Sequence, residues 1–392
     1  MNGKPLVALL AAAVLAGCGT IADPTTYFGG SSVEKPAELL PVANSVDVIT
    51  LWSVDVGKGA DKQRLNLVPK PVGGRVYAAD ARGHVMALDA ATGRSLWTRD
   101  TDRELTAGPG YGDGLVLVGT GDGEVVALDA DSGAERWVSR VSSEVLAVPA
   151  AAHGVVVVHT IDGRIAGLEA ATGKPRWQYE RTASGLGLRG SSSPMISGTK
   201  AITGMAGGRI VAVDVERGLP LWETTITAPT GRSELERVHD IIGDPLLYQG
   251  AVFVGTYQGE IAGLLEGTGQ IAWRRKASTH SALASDGRAL FFTDDADNVW
   301  SAEPRDGAAL WKQDKLRARR LSAPAALDGY VFVGDLDGYV HVLSAQDGSL
   351  VARTRVGSSP ISAQPRVADG VLYVLGDSGN LAAMRLGSAT AR

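Results

Sequence analysis

Apolar residues along this chain come in short runs, and a glycine-containing turn closes most of them. One stretch shows the pattern most clearly. From Thr120 to Trp137 there is an Asp122-Gly123 turn, an apolar run ending in Ala127-Leu128-Asp129, a Ser132-Gly133 turn, and a short segment closed by Trp137. Runs this short, rich in β-branched residues and bounded by such turns, predict strands. Asp-Gly pairs favour turns with positive φ, as hairpins require.

The same unit recurs along the chain. Copies are seen at Ala87-Leu88-Asp89 with Gly93 and Trp97, and at Gly167-Leu168-Glu169 with Gly173 and Trp177. Further copies carry Gly218 and Trp222, Gly269 and Trp273, and Gly307 and Trp311. A seventh has Gly348 and then Ala352 where Trp is expected. An eighth starts at Pro365 and ends without a Trp. Its missing part stands at the other end, in Val48-Ile49-Thr50-Leu51-Trp52. Each unit also has an upstream run, such as Leu115 to Gly119, so four strands per unit are expected. Successive Trp residues are 38 to 51 positions apart, which suits a propeller blade. The expected fold is all-β: an eight-bladed β-propeller of four-stranded antiparallel blades over residues 46–387, closed by the N-terminal strand completing the last blade. Trp52, Trp97, Trp137, Trp177, Trp222, Trp273 and Trp311 are expected to dock each blade on its neighbour, with the indole N–H on an acceptor.

Composition refines this picture. The chain has 392 residues, 50 of them glycine, and a length that would otherwise suggest two or three domains. A single ring can absorb it. The formal net charge of -5 argues against general nucleic-acid binding, which needs basic surface. The single cysteine, Cys18, excludes an intramolecular disulfide. Lys4 and the apolar run from Pro5 to Ala16 read as a signal peptide over 1–17. The run ends in Leu15-Ala16-Gly17-Cys18, which looks like a bacterial lipobox, so Cys18 is the expected lipidation site. Several acyl chains there would give stable anchoring. Gly19, where an aspartate would retain the protein elsewhere, favours the inner leaflet of the outer membrane. Residues 18–45, rich in Gly, Ser, Thr and Pro, are expected to form a flexible tether, and 388–392 a tail.

The unit also serves as a ruler. Four links from the Trp position to the next aligned proline measure 12 or 13 residues. Trp52 to Pro69 and Trp177 to Pro194 measure 17, and Trp222 to Pro245 measures 23. In a propeller these links share one face, and the last two flank the same blade. Lengthened loops on one face mark a candidate binding face. The first carries Ser184-Gly185-Leu186-Gly187-Leu188-Arg189-Gly190. The second carries Ser233-Glu234-Leu235-Glu236-Arg237-Val238-His239-Asp240, in which Ser233 and Glu236 fit a capping box. Apolar residues beside an arginine resemble a protein-binding hot spot more than a catalytic pocket. Lys312, Lys315, Arg317, Arg319 and Arg320 read as a solvated charged loop or as an attractor of anions.

No chemical motif stands out. There is no His-Glu-x-x-His, Gly-x-Ser-x-Gly or P-loop. His84, His153, His159, His239, His280 and His341 are scattered without metal-ligand spacing. No catalytic residue, metal or cofactor is expected.

The Ala-Leu-Asp-Ala-x-(Thr/Ser)-Gly-x-x-x-Trp pattern resembles the quinoprotein-type repeats first known from PQQ-dependent dehydrogenases. Those enzymes are usually longer, and commonly use a vicinal disulfide that one cysteine cannot form. A lipoprotein of this length with eight such repeats is more similar to the BamB family of outer-membrane protein assembly lipoproteins. The resemblance covers nearly the whole chain. It implies a non-enzymatic, monomeric scaffold on the periplasmic side of the outer membrane. Such a scaffold binds the periplasmic POTRA domains of BamA within the BAM complex. It further implies that Leu186, Leu188, Arg189 and Asp240 belong to the partner-binding loops. The family pattern has an acidic residue where this chain has Ile242, so one polar contact is lost or passes to Asp244. A PQQ-dependent periplasmic dehydrogenase and a propeller serving another envelope partner remain the alternatives.

Overall fold

The computed structural model describes residues 34–61, 63–181 and 186–387. The expected signal peptide, Cys18, the first part of the tether, Ser184, Gly185 and the tail lie outside the described residues. One compact unit begins at Pro36.

Within it, the strands form eight sheets arranged as the blades of a propeller. A representative blade is a meander of Ala150–Ala152, Val155–His159, Arg164–Glu169 and Pro175–Glu180, each antiparallel to the next. The last blade takes Arg366–Ala368, Val371–Leu375 and Asn380–Leu386 from the C-terminal part and Val48–Asp55 from the N-terminal part. These outer two strands pair antiparallel, with Trp52 opposite Ala383. The ring is therefore closed by strand pairing, as expected. One strand was not legible in the sequence. Asn66–Leu67 adds in parallel to Leu105–Gly112, so the second blade has five strands. It lies in the long link after Trp52, which explains that link's length.

Middle strands are buried on both faces. Val155–His159 is buried throughout, and Leu117, Ala127 and Trp137 of one blade share a cluster with Val156 and Leu168 of the next. No blade covers its own faces, so the apolar surface removed from water lies between blades.

The tryptophans form the repeated joint. In seven blades the indole N–H donates to a backbone carbonyl of the following blade at 2.8–3.0 Å. The acceptors are Ala90, Ala130, Ala170, Val215, Glu266, Pro304 and Ala345. Three residues after each acceptor stands a glycine: Gly93, Gly133, Gly173, Gly218, Gly269, Gly307 or Gly348. Each has φ between 69° and 73°, and a Cβ on any of them would lie closer than 3.0 Å to the indole. Glycine is thus needed twice over, for the turn and for the approach. A one-residue bulge accompanies the joint: Ala87 faces Trp97 while Leu88 faces Ser95, which re-aims the strand at the indole.

Ala352, where the series lacks its Trp, has a geometric cause. The indole would dock on the outer hairpin turn of the next blade. The eighth blade has no such turn, because its outer strand arrives from the other end of the chain. Ala352 is instead buried in a cluster with Val46, and Val48 and Leu386 pack against it.

The described end of the expected tether, residues 34–45, makes contacts with the ring. The Ala37 N–H donates to the Arg317 carbonyl at 2.9 Å, and Arg319 Nη1 donates to the Ala37 carbonyl at 2.8 Å. Further on, the Ser45 N–H donates to the Val351 carbonyl at 2.9 Å and the Arg353 N–H to Asn44 Oδ1 at 3.0 Å. Arg319 is only 4% exposed, so it is not part of a solvated charged loop. Its Nε donates to Asp335 Oδ2 at 2.9 Å, and it also pairs with Asp337. Beneath them, Arg353 Nε approaches His341 Nδ1 at 3.2 Å while His341 Nε2 lies 2.9 Å from Asp335 Oδ2. An arginine N–H can only donate, so Nδ1 accepts and the proton sits on Nε2 of a neutral ring. Burial holds His341 below its ordinary value, and Asp335 offsets only part of this. His159, buried beside the Ser192 carbonyl, is lowered for the same reason.

Two predictions follow from the joint and the buried imidazoles. Gly133→Ala should destabilise the protein by about 1–3 kcal/mol more than Gly114→Ala in urea unfolding, because it adds overpacking to the φ strain. Gly114 has the same sign of φ (73°) and nothing within 4 Å of an added Cβ, so it isolates the strain alone. Secondly, both histidines have lowered folded-state values, so the unfolded chain binds protons more readily around pH 6.5. Unfolding midpoints should therefore rise as pH increases from about 5 to about 7.5, and a flat or falling profile would contradict the neutral assignment.

Candidate functional site

The two long links lie side by side, flanking the blade built from Met195–Ser197, Lys200–Met205, Arg209–Asp214 and Pro220–Thr225. The second is rooted in the core. Val238 and Ile241 are buried, and Ile241 sits against Gly204 so closely that a Cβ there would collide. His239 is buried with Nδ1 3.3 Å from the Tyr257 carbonyl. Upstream, Leu235–Arg237 forms a single 3-10 turn. The expected capping box closes around it: the Glu236 N–H donates to Ser233 Oγ at 3.3 Å, and the Ser233 N–H to Glu236 Oε2 at 3.4 Å.

Asp240 ties the two links together. It is 4% exposed. Its Oδ2 accepts the Leu188 N–H at 2.7 Å and its Oδ1 accepts the Gly207 N–H at 2.9 Å. Gly187 leaves room for it, since a Cβ there would be 2.9 Å from Oδ2. The residues after Asp240 also work inward. Ile242 packs on Gly190, with its Cδ1 3.1 Å from the position of an added Cβ. Asp244 Oδ1 accepts the Ser193 N–H at 2.8 Å, and its Oδ2 lies 3.8 Å from Arg366 Nη2 of the last blade. The geometry therefore divides the named residues. Asp240, Ile242 and Asp244 position the loop, whereas Leu186 and Arg189 are exposed on its outer side and Leu188 is half-buried.

Leu186 is 56% exposed and Arg189 is also exposed. Arg189 Nη2 donates to Glu144 Oε2 at 2.8 Å, reaching back over the neighbouring link. One neighbour of this surface, Glu144, was not picked out by the sequence, whereas Leu235 lies in the Ser233 to Asp240 segment already singled out. Glu144 sits in a link of ordinary length and carries no signal. Leu235 is 67% exposed at the crest of the 3-10 turn, and its signal was present as a lone apolar residue in a charged run. Among the described residues, no group of three or more His, Cys, Asp or Glu is placed to hold a metal ion.

Fold and site together define a quinoprotein-type repeat propeller whose one modified face is a preorganised loop surface. The family model described as outer membrane protein assembly factor BamB matches residues 81–313 and 302–391. A curated BamB from Alkalilimnicola ehrlichii is 48% identical over 98% of this chain and 97% of its own length. One from Pseudomonas aeruginosa is 51% identical over 89% of this chain and 92% of its own length. The crystal structure of BamB from Moraxella catarrhalis superposes with a TM-score of 0.79 at 27% identity, covering 86% of this chain and all of that one. The quinohemoprotein alcohol dehydrogenase of Comamonas testosteroni shares the fold alone, at 15% identity and a TM-score of 0.69 over 89% of this chain and 78% of that one. The chain belongs to the BamB family of outer-membrane protein assembly factors, whose members are scaffolds rather than enzymes.

The Asp240 tie can be tested directly. Asp240→Asn leaves one of the two N–H groups facing an amide nitrogen, a loss of about 1–3 kcal/mol locally. Hydrogen exchange at the Leu188 and Gly207 amides should accelerate by about tenfold or more, with the distant blades unchanged. Unaltered protection would show that Asp240 does not hold the loop.

Proposed function

We propose that this protein is a lipid-anchored, non-enzymatic scaffold of outer-membrane protein assembly. In this role it grips the periplasmic POTRA domains of BamA through the surface made by Leu186, Leu188 and Arg189. The observation that carries this reading is a loop that exposes Leu186 and Arg189 while the backbone N–H of the half-buried Leu188 between them is fixed by the buried Asp240 carboxylate. Fixing the loop before binding removes part of the ordering cost of association. The Arg189–Glu144 pair is exposed, and such pairs contribute only about 0–1 kcal/mol, so the guanidinium can pass to a partner carboxylate at little cost. Leu235, on the next link, adds a second exposed apolar side chain to the same face. Asp240 acts by positioning, and the inward Ile242 and Asp244 leave partner recognition to the first loop. Cys18 supplies the anchor: acyl chains on its sulfur would hold the propeller at the inner leaflet of the outer membrane, facing the periplasm.

Arg189→Glu and Leu186→Glu variants, with unchanged thermal unfolding, are expected to lose co-purification with BamA from solubilised envelopes. Undiminished recovery with both variants would overturn the assignment of this surface.

A further inference from the structure

Of the eight tryptophans, seven dock blades and one does not. Trp300 falls one position before Ser301, the residue that faces Trp311 across the bulge. The aligned positions in the other blades hold Met86, Val126, Ala166, Val211, Ala262, His341 and Ala382. A large aromatic ring here is a departure from the repeat, and the ring joint does not use it.

Trp300 is half-buried in a cleft of about 300 Å³ between the fifth and sixth blades. Ile261, Phe292, Ala302 and Ala309 supply apolar lining. Phe292 lies opposite Trp300 on the adjacent strand, with the two rings parallel to within 2° and their centroids 6.1 Å apart. The Trp300 N–H is held by Asp294 Oδ2 at 2.8 Å, which fixes the indole. The charged groups around this apolar floor are mainly cationic. Arg275 and Lys276 line the cleft, and Lys312 Nζ stands 5.0 Å from the Trp300 ring centroid. None of these three forms a salt bridge among the described residues. Asp294, the carboxylate in the lining, is already saturated by Trp300, Asn298 and two backbone N–H groups. In a chain of net charge -5, this is a local excess of unpaired cations over an aromatic floor.

We propose that this cleft binds an extended polypeptide segment that presents an aromatic side chain next to acidic residues. The ring would lie against Trp300 and Phe292. The flanking carboxylates would pair with Arg275, Lys276 and Lys312. Peptide backbone is favoured because the cleft runs beside Ile271–Lys276, the outermost strand of its blade, whose outer edge has no partner strand. That edge offers main-chain donors and acceptors to an added segment. None of the residues lining the cleft belongs to the loops that carry Arg189 and Asp240.

Fluorescence anisotropy on the full chain tests this with labelled peptides of about ten residues centred on Glu-Phe-Glu, Glu-Ala-Glu or Lys-Phe-Lys. The Glu-Phe-Glu peptide should bind and quench Trp fluorescence, and the other two should bind at least about tenfold more weakly. Arg275→Glu with Lys312→Glu, both at exposed positions, should reduce Glu-Phe-Glu binding by a similar factor without altering thermal unfolding. Trp300→Phe should remove the quenching, and Arg189→Glu should leave binding intact. No binding to the wild-type chain, equal binding of Lys-Phe-Lys, or full binding by the charge-reversed variant would each overturn the proposal.

Discussion

The docking of an indole on a glycine turn is the constraint from which the rest of this structure follows. Each blade buries its apolar faces only against neighbours, so the ring is stable only if the angle between blades is right everywhere. The Trp joint sets that angle by three means: a directional hydrogen bond, a ring-on-backbone contact, and a bulge that aims the strand. Repeated seven times, it leaves one junction to be made differently. That junction lies between the seventh and eighth blades, where Val46 and Val48 pack beside Ala352.

A rigid ring lets loops be specialised without loss of precision. The two links around Asp240 are lengthened, yet their ends are fixed by the same blades. Ile241 on Gly204 and Asp240 on two backbone amides then hold the intervening residues. The exposed side chains therefore stand on a surface that is already ordered.

Most of the fold was legible in the sequence, because glycine turns, apolar runs and tryptophans recur at a readable interval. The loop surface was legible as two stretched intervals. What could not be read depends on contacts that leave no local trace. The added strand Asn66–Leu67 is made by one parallel pairing and has no run of its own. Asp240 looked like a contact residue, but its burial and two amide partners make it a support. Arg319 looked like part of a charged loop, but it is sequestered by Asp335 and the backbone of Ala37. For Asp240 and Arg319 alike, long-range packing rather than neighbours in sequence decided the environment.

The way the N-terminal segment joins the ring has a mechanical consequence. Val48–Asp55 is both the closing strand and the part of the propeller nearest in sequence to the expected anchor. A pull from that side would otherwise load the closing strand in shear and tend to open the ring. Before it can do so, force must pass the attachments of Ala37 to Arg317 and Arg319, then those of Asn44 and Ser45 to the outer strand of the seventh blade. These contacts act as strain relief, in the manner of a clamp on a cable. Tension is carried into the seventh blade, and the strand that completes the ring is spared.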